Sequence, residues 1–440
     1  MRLPDYVMEC LEALERAGFA AYAVGGCVRD LYLGRQPHDY DLCTAALPQQ
    51  TEAVFQDYPL VLAGKKHGTV AVVTRGGMVE ITTFRTEGAY EDNRHPDWVE
   101  FVTDIEKDLA RRDFTINAMA WSPYRGFADP FGGRADLEKG ILRAVGDPQA
   151  RFREDSLRIL RGVRFAVRYG LEVEQKTEDA MFRLSPLMEN LARERVFSEL
   201  CALLPAVTAG DLQRFAPVIF TVIPELAPTL GFDQRSPHHA YDLFTHISKV
   251  VENTPADLTL RWAALLHDTG KIATFTQDET GRGHFYGHAG AGAQIADSVL
   301  RRLKAPTALR EEVILLIRQH MTKLEPDKRL LRRSLSKLGM DTLRKLLLMQ
   351  EADMGSKGTG YPQEMEQFSV LNNLLSEIEA EKACLSLKDL AVDGNDLIQL
   401  GLQGREIGRC LNALLEKVLE EELPNEKETL LEEVRKGIPL

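Results

Sequence analysis

Residues 24–34 read Val24-Gly25-Gly26-Cys27-Val28-Arg29-Asp30-Leu31-Tyr32-Leu33-Gly34, and His38-Asp39-Tyr40-Asp41-Leu42 follows shortly after. The apolar run Ala20–Val24 predicts a strand ending in a glycine turn, and Cys27–Leu33 predicts a helix directly behind it. Such a helix start points unpaired backbone N–H groups at an anion. Asp39 and Asp41 are two positions apart, so on a strand both carboxylates face the same side. Paired carboxylates beside a phosphate cradle suit Mg²⁺-dependent phosphoryl or nucleotidyl transfer, because hard cations take oxygen ligands and two ions can hold the attacking and leaving oxygens. A Gly-Gly turn or an Asp-x-Asp alone is commonplace. Their order and proximity carry the information.

The chain has 440 residues, enough for two to four domains, and its 44% hydrophobic and 27% charged content is that of a globular protein. Glu9, Glu12 and Glu15 interrupt the N-terminal apolar positions, so no signal peptide is expected, and no apolar run is long enough to span a bilayer. Six cysteines without a C-x-x-C pair point to reduced thiols and a cytoplasmic location, not to structural zinc. A net charge of −12 argues against a generic nucleic-acid binder, but the charge is uneven. Arg151, Arg153, Arg158, Arg161, Arg164 and Arg168 crowd residues 151–168, whereas 416–433 is glutamate-rich. RNA therefore stays open as a partner.

Strand signals gather at Ala20–Val24, Tyr40–Cys43, Thr69–Val73 and Val79–Phe84, after an amphipathic helix at residues 5–17. Beyond Ala150 helical periodicity takes over. The expected fold class is α+β: a mixed sheet with helices, followed by helical regions. Composition breaks suggest domains at 1–145, 146–225, 226–360 and 361–440.

Three further motifs carry chemistry. Glu80 lies on the strand after Thr69–Val73 and is either a third carboxylate or one solvent-facing glutamate. Arg111-Arg112-Asp113-Phe114-Thr115-Ile116-Asn117 offers guanidinium groups that match phosphate geometry. In Glu154-Asp155-Ser156-Leu157-Arg158, Asp155 and Arg158 are i and i+3 neighbours if both are helical. A carboxylate accepts hydrogen bonds and a guanidinium donates them. Cytosine and adenine present an amino donor beside a ring-nitrogen acceptor, and uracil and guanine present the reverse. One Asp–Arg pair can therefore accept C and A only. The plain alternative is a helical ion pair of about 0.2–0.5 kcal/mol.

Taken together, Gly25-Gly26, Asp39-x-Asp41, Arg111-Arg112-Asp113 and Glu154-Asp155-x-x-Arg158 resemble, in order, the motifs of the class II tRNA nucleotidyltransferases of the polymerase-β-like superfamily. The resemblance implies CCA addition to tRNA from CTP and ATP without a nucleic-acid template. It implies Asp39, Asp41 and Glu80 as catalytic residues, with Mg²⁺ on the two aspartates. It further implies nucleotide contacts from Gly25, Gly26, Arg29, Arg112, Asp113, Asp155, Arg158, Arg161 and Arg164, with Asp113 on the ribose. The arginine stripe from Arg158 to Arg168 is expected against the tRNA acceptor backbone, and Glu194–Leu200 as support for the neck. The full-length loop from Phe84 to Pro96 favours complete CCA or terminal A addition over CC addition alone. The segment Asp393–Gly408 resembles the family's tail, so tRNA is expected to be met at its acceptor end and elbow. Rivals are an A-adding enzyme, a poly(A) polymerase, or a phosphohydrolase whose nucleotidyltransferase-like half only binds RNA. No membrane partner is expected, and no oligomeric state follows from the sequence.

A second series, His246, His267-Asp268, His288, His320 and Asp353, falls on helical segments and resembles the HD phosphohydrolase superfamily. Imidazoles with carboxylates suit a divalent transition metal, whose bound water ionises near neutrality. The resemblance implies a second metal centre and a phosphohydrolase activity.

Overall fold

The computed structural model describes residues 1–88, 99–358, 362–381 and 383–437. The chain forms two compact units, residues 1–207 with 214–224, and residues 208–213 with 225–440. The loop residues 89–96, on which the choice between CC and CCA addition was based, lie outside the described residues.

The first unit is α+β, as expected. Its strands are β1 (Ala21–Val24), β2 (Asp41–Thr44), β3 (Leu60–Val61), β4 (Thr69–Val73) and β5 (Met78–Thr83), then the ribbon β6 (Arg85–Glu87) and β7 (Val99–Phe101), then β8 (Ala120–Ser122) and β9 (Gly126–Ala128). Seven form one mixed sheet ordered β3-β4-β5-β2-β1-β8-β9. Within it β2 and β5 run parallel, and the other pairings are antiparallel. All four residues of β1 are buried, which is why this central strand reads as a continuous apolar run. Tyr22, Val24, Cys43, Phe84, Leu109 and Ala120 belong to one core cluster behind it. The helix Asp5–Arg16 buries Val7, Cys10, Leu11 and Leu14, the stripe that its periodicity predicts.

The predicted helical pairing of Asp155 with Arg158 is corrected. The helices Pro148–Glu154 and Leu157–Tyr169 are separate, and Asp155 between them is extended (φ −142°, ψ 103°). Its carboxylate accepts the Leu157 N–H at 3.1 Å, the local bond by which Asp ends one helix and starts another. The two side chains do not pair with each other.

The second unit is almost wholly helical, with only the short strands Thr276–Gln277 and Gly283–His284 among its described residues. The helices Leu243–Asn253, Leu258–Leu266, His288–Arg302, Thr307–Gln319 and Met340–Gly355 pack on one another around Phe244, Trp262, Leu265, Val313 and Leu346, all essentially fully buried. Asp242 and Asp257 cap the first two through their carboxylates. The C-terminal helices have their own core, including Val392, Leu397, Cys410, Leu414 and Leu430. No described helix is long and apolar enough to cross a membrane.

Candidate functional site

The first unit gathers its acidic and basic motifs at the end of β1. Gly25 has φ 75° and ψ −130°, a conformation that side chains disfavour, and a Cβ there would lie 2.7 Å from Arg112 Nη1. The glycine is thus required both by its backbone and by the guanidinium pressed against it. Gly26 opens the helix Gly26–Tyr32. Across the sheet, the parallel register of β2 and β5 sets Asp41 opposite Glu80. The strand begins at Asp41, so Asp39 precedes it and does not share its pleat. The aspartates are still electrostatic neighbours. Burial by surrounding protein, with the charges of Asp39 and Glu80, raises the Asp41 carboxyl to about 6 against the opposing pull of Arg112. Three carboxylates that repel one another are stabilised by a cation, so the residues present fit a divalent metal such as Mg²⁺.

Arg112 is incompletely satisfied: its Nε is buried without a hydrogen-bond partner, and its Nη2 lies 3.6 Å from Asp108 Oδ2. A phosphate would complete it. Arg29, by contrast, turns inward. It is buried, donates to Asn117 Oδ1 and, at 2.9 Å, to Asp30 Oδ1, and stacks on Tyr169. Asp113 accepts from the Phe114 N–H at 2.9 Å, Asn117 Nδ2 at 3.0 Å and Arg161 at 2.7 Å. Burial opposes its ionisation, but Arg161 and Asn117 hold its carboxyl well below the usual range.

The arginine stripe is not a free cationic face. Arg158 donates to Glu154 at 2.5 Å and to the carbonyls of Arg151 and Arg111. Arg161 meets Asp113, and Arg164 meets Glu199 at 2.6 Å. Leu157–Tyr169 packs against the helix Arg193–Leu203, which takes Arg164 through Glu199, and of the four arginines only Arg168 is exposed. That helix supplies two residues that sequence reasoning treated only as support. Arg195 holds Asp155 through both carboxylate oxygens, at 2.7 and 3.4 Å, and Glu199 holds Arg164. Their i, i+4 spacing on one helix was the available signal.

In the second unit all six residues of the histidine series converge. Asp353 Oδ1 lies 3.0 Å from His246 Nε2 and 3.8 Å from His267 Nε2, and Asp268 Oδ2 lies 3.4 and 3.2 Å from the same two nitrogens. Asp268 Oδ1 faces His288 and His320 at 3.5 and 3.9 Å. His246, His267, Asp268 and Asp353 thus form one ligand group, and Asp268, His288 and His320 another. The Nδ1 atoms of His267, His288 and His320 lie 2.8, 2.8 and 2.6 Å from backbone carbonyls, so each Nδ1 carries the proton and each Nε2 keeps its lone pair for the centre. His288 Nε2 and His320 Nε2 then face each other at 3.2 Å, lone pair to lone pair. His246 Nε2, His267 Nε2 and Asp268 Oδ2 are buried and crowded against one another. This donor set fits a cation. Burial lowers the basicity of His246, but Asp268 and Asp353 outweigh it and raise its pKa to about 9. Sequence reasoning had not singled out Lys271, whose Nζ reaches Asp268 Oδ2 at 2.8 Å, or His239, whose ring meets that of His246. The i, i+3 spacing of Asp268 and Lys271 was the available signal for the lysine, whereas His239 left none.

A mixed sheet with a glycine turn, an acidic strand end and a neighbouring arginine defines the nucleotidyltransferase class, and residues 21–143 match the model described as the poly A polymerase head domain. Residues 284–434 match a putative tRNA nucleotidyltransferase domain 2. The chain is 31% identical to the CCA-adding enzyme of Streptococcus thermophilus over 96% of this chain and 94% of that one. Against the CCA-adding enzyme of Geobacillus stearothermophilus it is 46% identical over 44% of this chain and 48% of the relative. The structure of the Bacillus stearothermophilus CCA-adding enzyme in complex with CTP aligns over 99% of both chains with a TM-score of 0.69 at 28% identity. The chain belongs to the family of CCA-adding enzymes.

Proposed function

We propose that this chain adds C, C and A to the 3′ end of tRNA from CTP and ATP, releasing pyrophosphate without a nucleic-acid template. The observation that carries this reading is the meeting of Asp41, Glu80 and Arg112 at the Gly25 turn, in a chain of this family. Asp39 and Asp41 hold Mg²⁺, which when bound stabilises the attacking and leaving oxygens. The Gly25-Gly26 turn and Arg112 receive the triphosphate, and Asp113 lies toward the sugar. Asp155 accepts from the amino group of C or A, and Arg158 donates to the ring nitrogen. Both side chains are tied to protein partners, so reading a base requires Arg158 to trade its bonds to Glu154 and the two carbonyls for bonds to the nucleotide. Arg29, Arg161 and Arg164 act by positioning, since their guanidinium groups are held by protein groups. In this reading residues 1–145 are the head, 146–225 the neck, 226–360 a metal-binding body and 361–440 the tail, which meets the tRNA elbow. The test is incubation with tRNA lacking CCA and labelled CTP and ATP. Ordered addition of C, C and A is expected, and failure to add them overturns the reading.

A second activity is favoured by the histidine cluster. Its facing imidazole lone pairs and two converging ligand groups suit one or two transition-metal ions, which when bound supply hydroxide near neutral pH. Lys271 and Lys357, which flank Asp268 and Asp353, offer charge to a phosphate ester. Metal content of the purified protein, with and without His267→Ala, tests this.

A further inference from the structure

The histidine centre opens into a cavity of about 240 Å³ that includes the ligands Asp268, His320 and Asp353, the cations Lys271 and Lys357, and Tyr286. Tyr286 is 81% exposed, more than any other large hydrophobic side chain among the described residues. An exposed apolar side chain is by itself ordinary. This one is oriented. Its ring stacks on that of His284, with 5.5 Å between centroids and 6° between planes. His284 is fixed in turn, because its Nε2 lies 2.8 Å from Asp278 Oδ2. Asp278 Oδ1 accepts the N–H groups of Thr280 and Arg282 at 2.9 and 3.1 Å, which closes the turn between the paired strands Thr276–Gln277 and Gly283–His284. Gly283 donates to the Arg235 carbonyl at 2.8 Å, and a side chain there would strike the Gln234 carbonyl. The hairpin thus sits against the residue whose side-chain Oε1 accepts from Lys271 at 2.9 Å. One face of the tyrosine ring is held by His284, and the exposed remainder is presented at a cavity that also contains two ammonium groups. Ammonium groups receive a phosphate, and an oriented aromatic face receives a nucleobase, since every base has a π-face. A sugar phosphate uses only the first.

We propose that Tyr286, oriented by Asp278 and His284, is the base-stacking platform of the histidine centre, so that the ligand there is a phosphate ester carrying a nucleobase and not a bare sugar phosphate. The inference rests on the reading of the histidine cluster as a phosphate-ester site. Hydrolysis of such an ester bonds the oxygen of water to phosphorus, breaks the bond from phosphorus to the ribose oxygen and passes a proton to that oxygen, giving inorganic phosphate and a free hydroxyl. Tyr286 touches the base and none of the reacting atoms, so it sets which ester binds and not how fast the bond breaks. No particular base is singled out, because stacking tolerates any base.

The experiment compares phosphate release from AMP and from ribose 5-phosphate, which lacks the base, by the full-length chain supplied with Co²⁺ or Mn²⁺. Nucleotide bound at the nucleotidyltransferase site does not enter this readout. Tyr286→Ala should raise the KM for AMP about tenfold and leave its kcat, and both constants for ribose 5-phosphate, within about twofold. Tyr286→Phe, which keeps the ring, should retain the parent KM. Metal content and the thermal midpoint are read on the same samples, and both should stay at the parent values because the side chain is exposed. Equal losses on the two substrates, no loss on either, or a loss in Tyr286→Phe as large as in Tyr286→Ala overturns the proposal. A 5′-phosphorylated trinucleotide separates the two sources of the ligand. A kcat/KM above that of AMP, with the same dependence on Tyr286, assigns an RNA end, and a lower one assigns a free mononucleotide. Protein that holds no metal, or that releases phosphate from neither substrate, overturns the hydrolytic reading and the platform with it, whereas release that ignores Tyr286 overturns the platform alone.

Discussion

Asp41 is caught between two demands: protein burial and two neighbouring carboxylates favour its neutral form, while metal binding needs the anion. Because its folded pKa lies near 6, above the unfolded value, the folded chain without metal binds more protons than the unfolded chain between about pH 4 and 6, and is stabilised by Asp41 protonation as pH falls through that window. Activity runs the other way. Nucleotide addition should fall on the acid side with an apparent pKa near 6 at low Mg²⁺, and the midpoint should move to lower pH as Mg²⁺ rises and displaces the proton, as a pH–rate series at several Mg²⁺ concentrations will show. A midpoint that ignores Mg²⁺ would exclude Asp41 as the titrating ligand. At the same scale, Gly25→Ala combines a disfavoured backbone with a 2.7 Å clash at Arg112. The expected stability loss is about 1–3 kcal/mol by denaturant titration. The rise in KM for CTP and ATP should exceed what that instability explains, since Arg112 must move.

Elements explain why some of this was readable in advance. The strand–turn–helix at residues 21–32 follows from local pattern, since an apolar run, a glycine pair and a second apolar run leave few alternatives. The Asp41–Glu80 apposition needed the parallel register of two strands far apart in sequence, which no local pattern states. Asp155 misled because a five-residue motif flanked by helical sequence reads as one helix, while its short side chain bonds the next turn's N–H and divides the segment. The arginines misled in the opposite way. Their spacing was read correctly as one face, but the acidic partners that cover it come from Glu199 on another helix and Asp113 on a loop. Arg195 belongs to this scale too, because the helix Arg193–Leu203 fixes where the Asp155 carboxylate points. Arg195→Met should lower the preference for CTP over UTP by about tenfold, measured as the ratio of kcat/KM values, while Arg195→Lys restores part of it. Loss of rate with an unchanged ratio would make Arg195 a purely structural residue.

Two units with separate cores mean that the acidic site and the histidine site are built from different parts of one chain, the first wholly within residues 1–207 and the second within 225–440. Among the described residues, the groups that act on Asp41 are Asp39, Glu80 and Arg112 of the first unit, and those that meet His267 include Ala264, Asp268 and Asp353 of the second. Energetic effects of substitutions with no shared partner add, whereas those within one network do not. Asp41→Ala should therefore abolish CCA addition and leave metal content and phosphate-ester hydrolysis unchanged. His267→Ala should remove metal and hydrolysis and leave CCA addition intact, and the double variant should show the two single losses without further effect. Removing one member of the buried histidine centre also strands its neighbours, notably Asp268 and Asp353, whose carboxyls are held well below the usual range against their burial by His267 and Lys271, and by His246 and Lys357, respectively. His267→Ala should accordingly lower the thermal midpoint of the second unit, and a chelator should lower it in the parent chain but not in the variant, because a cation that binds only the folded form stabilises it. A calorimetric scan reads both. If Asp41→Ala also lost metal from the histidine centre, or if His267→Ala also stopped CCA addition in protein that remained folded, the two sites would be one coupled system and the separation argued from their partners would be wrong.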